Sequence, residues 1–227
     1  MELYLDTGNI DEIKSVIHTG QISGVTTNPT LILKNHTSDL KTFKEILLEI
    51  INAIKQERDD FTLSAEVTHI NSVEEIIHQG RELSIIDPHI IVKIPFTKIG
   101  LEAVKTLSYE GIRCNVTLCF SLTQAVLAAK AGAWCVSPFV GRIEDEGHSG
   151  IKLLQQIKQT YDNYNFSTKI LAASLRNVEH VHQAMLIGVD IATIPKSVFD
   201  KLYYNPLTHK GIEQFSKDWE EFENARK

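Results

Sequence analysis

The sequence predicts an α/β protein built as a single (β/α)8 TIM barrel with an extra C-terminal helix. Eight short apolar runs alternate with longer segments of helical period, and most of the runs end in a polar residue. Strands that alternate with helices form right-handed βαβ units with a parallel sheet, and eight such units close into a barrel. An open doubly wound sheet is the main alternative, but it requires a glycine-rich first turn, which Asp6-Thr7-Gly8-Asn9 does not provide.

The apolar runs and the helical periods give the expected boundaries of each element. Strands are predicted at Leu3–Asp6, Gly24–Thr26, Thr62–Glu66, Ile90–Ile94, Ile112–Thr117, Trp134–Ser137, Lys169–Ala172 and Ile191–Ile194. Helices are predicted at Asn9–His18, about Asp39–Glu57, Ser72–Leu83, Ile99–Tyr109, Ser121–Ala131, Gly150–Tyr161, Val178–Ile187, and from about Lys196 to the end, with the C-terminal helix at about 207–226. We expect the helices to stop at Gly80, Gly111, Gly132 and Gly188.

Composition and charge limit the class of protein. The chain has 227 residues, of which 43% are hydrophobic and 23% are charged, as expected for one globular domain spanning residues 1–227. A formal net charge of −6 argues against non-specific nucleic-acid binding, although a local basic pocket could still bind a phosphorylated substrate. No run approaches the roughly 20 apolar residues of a membrane span, and the N-terminal MELYLDTGN lacks the features of a signal peptide.

The cysteines and histidines do not indicate a metal site. Cys114, Cys119 and Cys135 lack metal-ligand or redox spacing, and such a sparse set is typical of reduced thiols in a cytoplasmic protein. His180 and His182 lie two residues apart, so a helix would place them on different faces, and we expect both to be solvated. We therefore predict no metal.

Lys93 is the leading candidate for a catalytic residue. It interrupts the apolar strand Ile90–Ile94, and its neighbours Val92 and Ile94 point to the opposite face. Burial favours the neutral amine, which is the form that attacks carbonyl carbons. The alternative is a lysine that extends from an edge strand to water. The polar residues at the other strand ends favour catalysis, because barrel enzymes gather their chemistry there.

Two carboxylates end other predicted strands. Glu66 ends the third strand and could act as a general acid or base beside Lys93, often through water. The alternative is a structural ion pair that keeps the lysine charged and inert. Asp6 ends the first strand and could take a proton from a substrate hydroxyl, as retro-aldol cleavage requires. It could instead cap the helix that begins near Asn9.

Amides and hydroxyls follow further strands. Asn115 and Thr117 share one face of the fifth strand, and Asn28 precedes Pro29 in a turn-like context. These groups suit substrate hydroxyls or an ordered water, but Asn and Thr also commonly cap backbone groups in loops.

A phosphate site is predicted after the seventh strand. Ser174 and Arg176 lead into the helix that starts near Val178, whose N-terminal N–H groups could face an anion. Arg176 and Arg142 would add guanidinium donors that suit phosphate, and this region is the usual phosphate position in barrels. Solvated salt bridges are the alternative for both arginines.

Six motifs occur in a characteristic order: Leu3-Tyr4-Leu5-Asp6-Thr7, Gly24-Val25-Thr26-Thr27-Asn28-Pro29, Ile91-Val92-Lys93-Ile94-Pro95, Gly111-Ile112 through Asn115-Val116-Thr117, Ser137-Pro138-Phe139-Val140-Gly141-Arg142 and Ala172-Ala173-Ser174-Leu175-Arg176. In this order they resemble the transaldolase family, in particular its short bacterial branch, which includes the fructose 6-phosphate aldolases. The resemblance runs from Met1 to about Trp219.

The resemblance implies a class I aldol mechanism without a cofactor. Lys93 would correspond to the Schiff-base lysine, and Asp6 to the group that deprotonates the C4 hydroxyl during cleavage. Glu66 and Thr117 would match the pair that positions a water for carbinolamine formation and breakdown.

The resemblance also implies the substrates, which are phosphorylated sugars of the pentose phosphate pathway. A dihydroxyacetone unit would move from sedoheptulose 7-phosphate to glyceraldehyde 3-phosphate, giving erythrose 4-phosphate and fructose 6-phosphate. The residues implied to bind the dihydroxyacetone unit are Asn28, Asn115 and Ser137, and those implied to bind phosphate are Arg142, Ser174 and Arg176.

Two positions separate the branches of the family. Fructose 6-phosphate aldolases carry glutamine at the position of Glu66 and tyrosine at that of Phe139, whereas transaldolases carry glutamate and phenylalanine, as here. Phe139 supplies no phenol hydroxyl to orient a water against the intermediate, which favours transfer. We therefore predict a transaldolase. The alternatives are an aldolase that releases free dihydroxyacetone and a catalytically silent phosphosugar-binding barrel in which Glu66 locks Lys93.

The C-terminal stretch predicts an interaction surface. Phe215, Trp219 and Phe222 are spaced by four and three residues, which forms an apolar stripe on an amphipathic helix. The stripe could cover its own barrel or a neighbouring subunit. The resemblance implies a homo-oligomer, either a pentamer or a decamer of two stacked pentamers.

Overall fold

The computed structural model describes residues 1–36 and 41–226. Within these ranges, parallel strands form a closed barrel in chain order, β1 pairing with both β2 and β8. The strands are β1 (Glu2–Asp6), β2 (Gly24–Thr26), β3 (Thr62–Glu66), β4 (Ile90–Pro95), β5 (Cys114–Cys119), β6 (Cys135–Pro138), β7 (Lys169–Ala172) and β8 (Ile191–Ile194). The predicted (β/α)8 barrel is thereby confirmed.

Helices follow the strands and cover the outside of the barrel. They are α1 (Ile10–Ile17), α2 (Pro29–His36), α3 (Phe43–Lys55), α4 (Val73–Ser84), α5 (Lys98–Tyr109), α6 (Leu122–Lys130), α7 (Val140–Asp145), α8 (Gly150–Tyr164), α9 (Val178–Ile187), α10 (Lys196–Phe199) and α11 (Pro206–Asn224), with a 3-10 turn at Asp200–Tyr203. None of the helices in the described ranges has both the length and the apolar character needed to cross a bilayer.

Two helices were not predicted, and both are short. The apolar residues of α2, Leu31, Ile32 and Leu33, are consecutive, so the sequence carries no helical apolar period there. The six residues of α7 are too few to show one. The predicted start of α3 near Asp39 lies outside the described residues.

The fifth strand lies two residues later than predicted. Ile112 belongs to the turn before β5, where its N–H donates to the carbonyl of Leu107 at 2.9 Å. The pairing of β5 with β6 is irregular between Val116 and Cys119, and Leu118 has a φ of 57°. This bulge changes the direction of the strand immediately after Thr117.

Three of the four predicted helix-ending glycines have that role, and one does not. Gly111, Gly132 and Gly188 have φ values of 80°, 89° and 78°, which side chains rarely permit. Gly80 lies inside α4, so the prediction of a helix end there is wrong. A Cβ at Gly80 would stand 2.7 Å from Cδ1 of the buried Leu107, so this glycine allows α4 and α5 to pack closely.

The inside of the barrel is apolar below its C-terminal end. A buried cluster of Tyr4, Cys135, Leu171, Ala173 and Ile191 fills the interior, apart from the larger cluster between strands and helices. Interior side chains alternate with exterior ones along each strand. The polar residues that face inward nearer the C-terminal ends of the strands therefore lie at the barrel mouth, directly above this apolar cluster.

Candidate active site

Strand register brings Lys93 beside Glu66. The two residues are paired across β3 and β4, and Lys93 is paired with Asn115 on the other side. The Nζ of Lys93 lies 3.0 Å from Oε2 of Glu66 and donates to the carbonyl of Thr27 at 3.0 Å. Lys93 is only 4% exposed and Glu66 9%. The lysine therefore does not extend to bulk water.

The Lys93–Glu66 pair has two chemical consequences. Its Coulombic attraction in a buried place opposes the loss of solvation of both charges. The same contact puts a carboxylate within hydrogen-bond distance of an amine, which is the geometry that proton transfer between them requires. The ion pair that the sequence left as an alternative therefore exists, and it also provides a path by which the ammonium can lose its proton.

Asp6 faces the same mouth and accepts from a chain of hydroxyls. Thr26 Oγ1 donates to Asp6 Oδ1 at 2.6 Å and lies 2.6 Å from Oγ1 of Thr193. Because Thr26 donates to the carboxylate, its oxygen is left to accept from Thr193. Asp6 does not cap α1, since the Asn9 side chain accepts from the first N–H groups of that helix.

The environment of Asp6 changes its acidity. Loss of solvation raises the pKa of Asp6 above its usual value, against the opposing influence of Lys93, the Thr26 hydroxyl and Arg142. A carboxyl with a raised pKa exchanges protons closer to neutral pH than an ordinary one does.

Thr193 was not predicted as a site residue. It is buried at the end of β8, which was the strand without a candidate. The alternation in Ile191-Ala192-Thr193-Ile194 carried a usable signal, because it places the hydroxyl on one face and the apolar Ala192 and Ile194 on the other.

A second network crosses β3, β5 and β6. Asn115 Nδ2 donates to Ser64 Oγ at 3.2 Å, and Ser137 Oγ donates to Asn115 Oδ1 at 2.6 Å. All three side chains are buried. The amide of Asn115 is thus fixed in orientation, with one N–H remaining, and the oxygen of Ser137 can still accept.

Thr117 differs from Asn115, Ser64 and Ser137 in its hydrogen bonding. Its hydroxyl is buried and has no hydrogen-bond partner among the described residues. Buried hydroxyls in native proteins nearly always have one, so an exception is informative.

A narrow cleft opens at the barrel mouth. Asn28 lines it and also caps the start of α2, where its Oδ1 accepts from the N–H of Leu31 at 3.0 Å. The lining residues are Asp6, Thr26, Asn28, Lys93, Ser137, Phe139, Leu171, Ala173 and Thr193.

The predicted phosphate residues lie together beside this cleft. Arg142 stacks its guanidinium 4.9 Å from the ring centre of Phe139, which lines the cleft. The N–H of Gly141 donates to the carbonyl of Ser174 at 3.0 Å, joining α7 to the loop after β7. Ser174 has a φ of 58°, and this left-handed conformation turns the chain toward Arg176.

Arg176 is engaged by an acidic residue. Both of its terminal nitrogens donate to the carboxylate of Asp145 at the end of α7. The salt bridge that the sequence left as an alternative for this arginine is therefore present, whereas no ion pair of Arg142 is found among the described residues.

One histidine is placed differently from the prediction. His180 is buried rather than solvated, whereas His182 is exposed. His180 Nε2 lies 2.9 Å from Glu144 Oε2, and the N–H of Arg176 donates to its Nδ1 at 3.4 Å. The short α7, which the sequence did not reveal, supplies the partner that accounts for this burial.

Known proteins resemble the chain over its full length. The family model described as Transaldolase/Fructose-6-phosphate aldolase matches residues 3–226. A probable transaldolase of Kosmotoga olearia is 48% identical over 222 residues, covering 98% of this chain and 97% of that protein. Another, of Carboxydothermus hydrogenoformans, is 49% identical over 220 residues, covering 97% and 98%. A third, of Roseiflexus castenholzii, is 44% identical over 226 residues, covering 100% of both.

Proposed function

The chain belongs to the transaldolase/fructose-6-phosphate aldolase family, and from this premise we propose that it is a transaldolase of the pentose phosphate pathway. It moves a dihydroxyacetone unit from sedoheptulose 7-phosphate to glyceraldehyde 3-phosphate through a Schiff base on Lys93. The observation that carries the proposal is the buried amine of Lys93, 3.0 Å from the Glu66 carboxylate at the mouth of the barrel.

Schiff-base formation begins when Glu66 accepts a proton from Lys93. The neutral amine attacks the C2 carbonyl of the donor sugar, so that an Nζ–C2 bond forms. The carbonyl oxygen becomes the carbinolamine hydroxyl and leaves as water, which yields the iminium. Glu66 and Thr117 bind a water molecule that transfers the protons of this step. The Thr117 hydroxyl, which has no hydrogen-bond partner among the described residues, supports this assignment.

Cleavage then requires a base at the C4 hydroxyl. Asp6 takes that proton as the C3–C4 bond breaks, and the electron pair moves to C3 and into the enamine on Lys93. Erythrose 4-phosphate leaves as the aldehyde. Addition of the enamine to glyceraldehyde 3-phosphate returns the proton from Asp6, and hydrolysis frees fructose 6-phosphate. The raised pKa of Asp6 supports its role as a base that regains and loses a proton each turnover.

The remaining polar groups bind substrate. We assign the hydroxyls of the dihydroxyacetone unit to Asn28, Asn115 and Ser137, two of which line the cleft while Asn115 holds the Ser137 hydroxyl. The phosphate is assigned to Arg142, Ser174 and Arg176. The position of these three residues after β6 and β7 supports the assignment, since barrels commonly bind phosphate near strands 7 and 8.

A coupled assay tests the proposal directly. The purified protein is supplied with sedoheptulose 7-phosphate and glyceraldehyde 3-phosphate, while free dihydroxyacetone is measured in parallel. Transfer that exceeds dihydroxyacetone release supports a transaldolase. Release from fructose 6-phosphate as fast as transfer would instead identify a fructose 6-phosphate aldolase, and the absence of both reactions would favour a phosphosugar-binding barrel.

Phe139→Tyr is expected to shift the reaction from transfer toward release. A phenol hydroxyl at the cleft can orient a water to protonate the enamine, which ends the cycle with free dihydroxyacetone. We expect the ratio of release to transfer to rise about tenfold, equivalent to about 1.4 kcal/mol between the two barriers. The control is Phe120→Tyr, whose ring lies 5.8 Å from Phe139 but outside the cleft lining. An unchanged ratio in Phe139→Tyr would contradict the role of the apolar ring.

Thr193→Val is expected to impair Asp6 indirectly, through the orientation of the Thr26 hydroxyl. Loss of the Thr193 hydroxyl removes its hydrogen bond to Thr26 and leaves Thr26 less firmly oriented toward the Asp6 carboxylate. A hydrogen bond contributes about 0.5–1.5 kcal/mol, which corresponds to a two- to tenfold lower kcat/KM. The acidic limb of the pH profile should move to higher pH, because a hydrogen bond to the charged form lowers a carboxyl pKa. Thr193→Ser should restore both. A uniform loss of activity with an unmoved pH profile would indicate a structural effect only.

We also assign the chain to a cytoplasmic homo-oligomer. All three cysteines are free and buried, as is typical of a reducing compartment.

No residue of α11 is buried, and Phe215 and Trp219 are 74% and 59% exposed. An apolar stripe of this kind fits a neighbouring subunit, and we propose a pentamer or a stacked decamer. Sedimentation of the full chain measures the assembly, and a monomer at micromolar concentration would contradict it.

A further inference from the structure

Asp145 forms an ion pair with Arg176 of the proposed phosphate site and shares a helix with Arg142. Arg142 and Asp145 lie three residues apart on α7, which places them on one face of the helix. Arg176 reaches the same carboxylate from the loop after β7, with Nη2 2.5 Å from Oδ2 and Nη1 bonded to Oδ1. The hydrogen bonds from Arg176, and further the charge of Arg142, hold the pKa of Asp145 below its usual range. The carboxylate is therefore an anion within a local positive potential.

The contact has the geometry by which a guanidinium recognises phosphate. Arginine binds carboxylates and phosphates alike through two parallel N–H···O bonds. Both terminal nitrogens of Arg176 are used by Asp145. A phosphate that is to be held by the same fork must displace the carboxylate.

The backbone and the inner part of the Arg176 side chain are held in place, whereas its guanidinium can exchange Asp145 for another anion. A Cβ at Gly141 would lie 2.5 Å from Nε of Arg176, so the glycine allows the side chain to run directly over α7. The backbone N–H of Arg176 is held by His180. The side chains of Arg176 and Asp145 are, by contrast, 49% and 51% exposed. Ion pairs at such exposure are weak and readily exchanged for another anion.

We propose that Asp145 is an internal competitor for the substrate phosphate and so determines the specificity of this site. It holds Arg176 while the site lacks an anion and gives way when the phosphate of a sugar arrives. The inference rests on the proposed function, because it takes the substrate to be phosphorylated. The two arginines alone would bind phosphate more tightly than they do in the presence of Asp145, which limits the retention of phosphorylated products.

Asp145→Asn tests the inference through the direction of its effect. The KM for fructose 6-phosphate as donor and the inhibition constant of inorganic phosphate should both fall about two- to fivefold, as expected when a weak exposed ion pair no longer competes. The KM for unphosphorylated fructose should not change. The matched control is Glu146→Gln, which removes the next carboxylate along the chain. Glu146 is exposed and has no ion pair among the described residues, so this variant should leave both constants unchanged.

The opposite result would overturn the inference. If Asp145 only positions Arg176, Asp145→Asn raises the KM and the phosphate inhibition constant instead of lowering them. A fall of the same size in Glu146→Gln would assign the effect to net charge and not to competition. In an Arg176→Gln background, Asp145→Asn should have a smaller effect on phosphate affinity, because only the charge of Arg142 then acts on the carboxylate. An undiminished effect would also contradict the inference.

A binding measurement separates this inference from the proposed function. Calorimetric titration with inorganic phosphate requires no turnover. If the protein shows no transfer but phosphate binds more tightly to Asp145→Asn, the proposed function fails and the competition stands. If transfer is observed but phosphate binds equally to both proteins, the competition fails and the proposed function stands.

Discussion

Lys93→Met is expected to abolish transaldolase activity, lowering kcat/KM by about 10⁴-fold or more, as removal of a covalent nucleophile typically does. Methionine is close to lysine in length but has no amine, so no iminium can form. Borohydride reduction with fructose 6-phosphate should attach a sugar fragment to Lys93 in the native protein and none in the variant, as measured by peptide mass. Lys169→Met is the control, because Lys169 pairs with Glu2 and stacks on Trp134 away from the cleft.

The same substitution tests stability. It leaves Glu66 buried without its cationic partner, and removal of one member of a buried ion pair costs about 3–5 kcal/mol. Adding Glu66→Gln should recover much of this loss without recovering activity. Chemical denaturation of both variants measures the difference. A Lys93→Met protein that is folded and still forms the borohydride adduct would contradict the assignment of the nucleophile.

Asp6→Asn is expected to lower kcat for transfer by about 10²- to 10⁴-fold, the usual contribution of a positioned general base. The asparagine oxygen can still accept from Thr26, so the local structure should be retained. Because Schiff-base formation uses Lys93, Glu66 and Thr117, borohydride trapping with fructose 6-phosphate should persist in this variant. A loss of trapping together with transfer would move Asp6 to the earlier step, and transfer within tenfold of native would remove it from the mechanism.

The raised pKa of Asp6 also predicts a stability effect. Between the ordinary carboxyl pKa of the unfolded chain and the raised pKa of the folded one, the native state binds more protons than the unfolded state does. Stability therefore falls as pH rises through this window, by the linkage between proton binding and folding. Asp6→Asn should remove this loss, and its thermal midpoint at neutral pH should equal or exceed that of the native protein. A lower midpoint would show that the carboxylate stabilises the fold.

The local pattern of apolar residues was sufficient to predict the boundaries of each helix or strand that has a long apolar face. The periods of α1, α4, α5 and α8 and the apolar runs of the strands placed most boundaries within two or three residues. It failed where the apolar residues of a helix are consecutive and not periodic, as in α2, and where a helix is too short to show a period, as in α7. It also misassigned Gly80, because a glycine that permits two helices to approach has the same local sequence signal as one that ends a helix.

Contacts between distant segments could not be predicted in this way. Thr193 and Thr26 are separated by 167 positions, and their hydroxyls meet only because β8 closes the barrel against β1. The burial of His180 depends on Glu144 of a helix that the sequence did not reveal. Sequence patterns indicate which side chains face the barrel interior or the helices. Which side chains then contact one another depends on the register of the strands and on how the helices pack.

By itself, the sequence determined that this protein is a (β/α)8 barrel of the transaldolase family and that its candidate catalytic residues follow the strands, because alternation and strand ends are local properties. Only the tertiary structure decided which of these residues touch. The register of β3 against β4 placed Glu66 on Lys93, and α7 placed Asp145 on Arg176. Both are charged pairs whose attraction depends on distances of a few ångströms, and such distances are set by packing across the barrel.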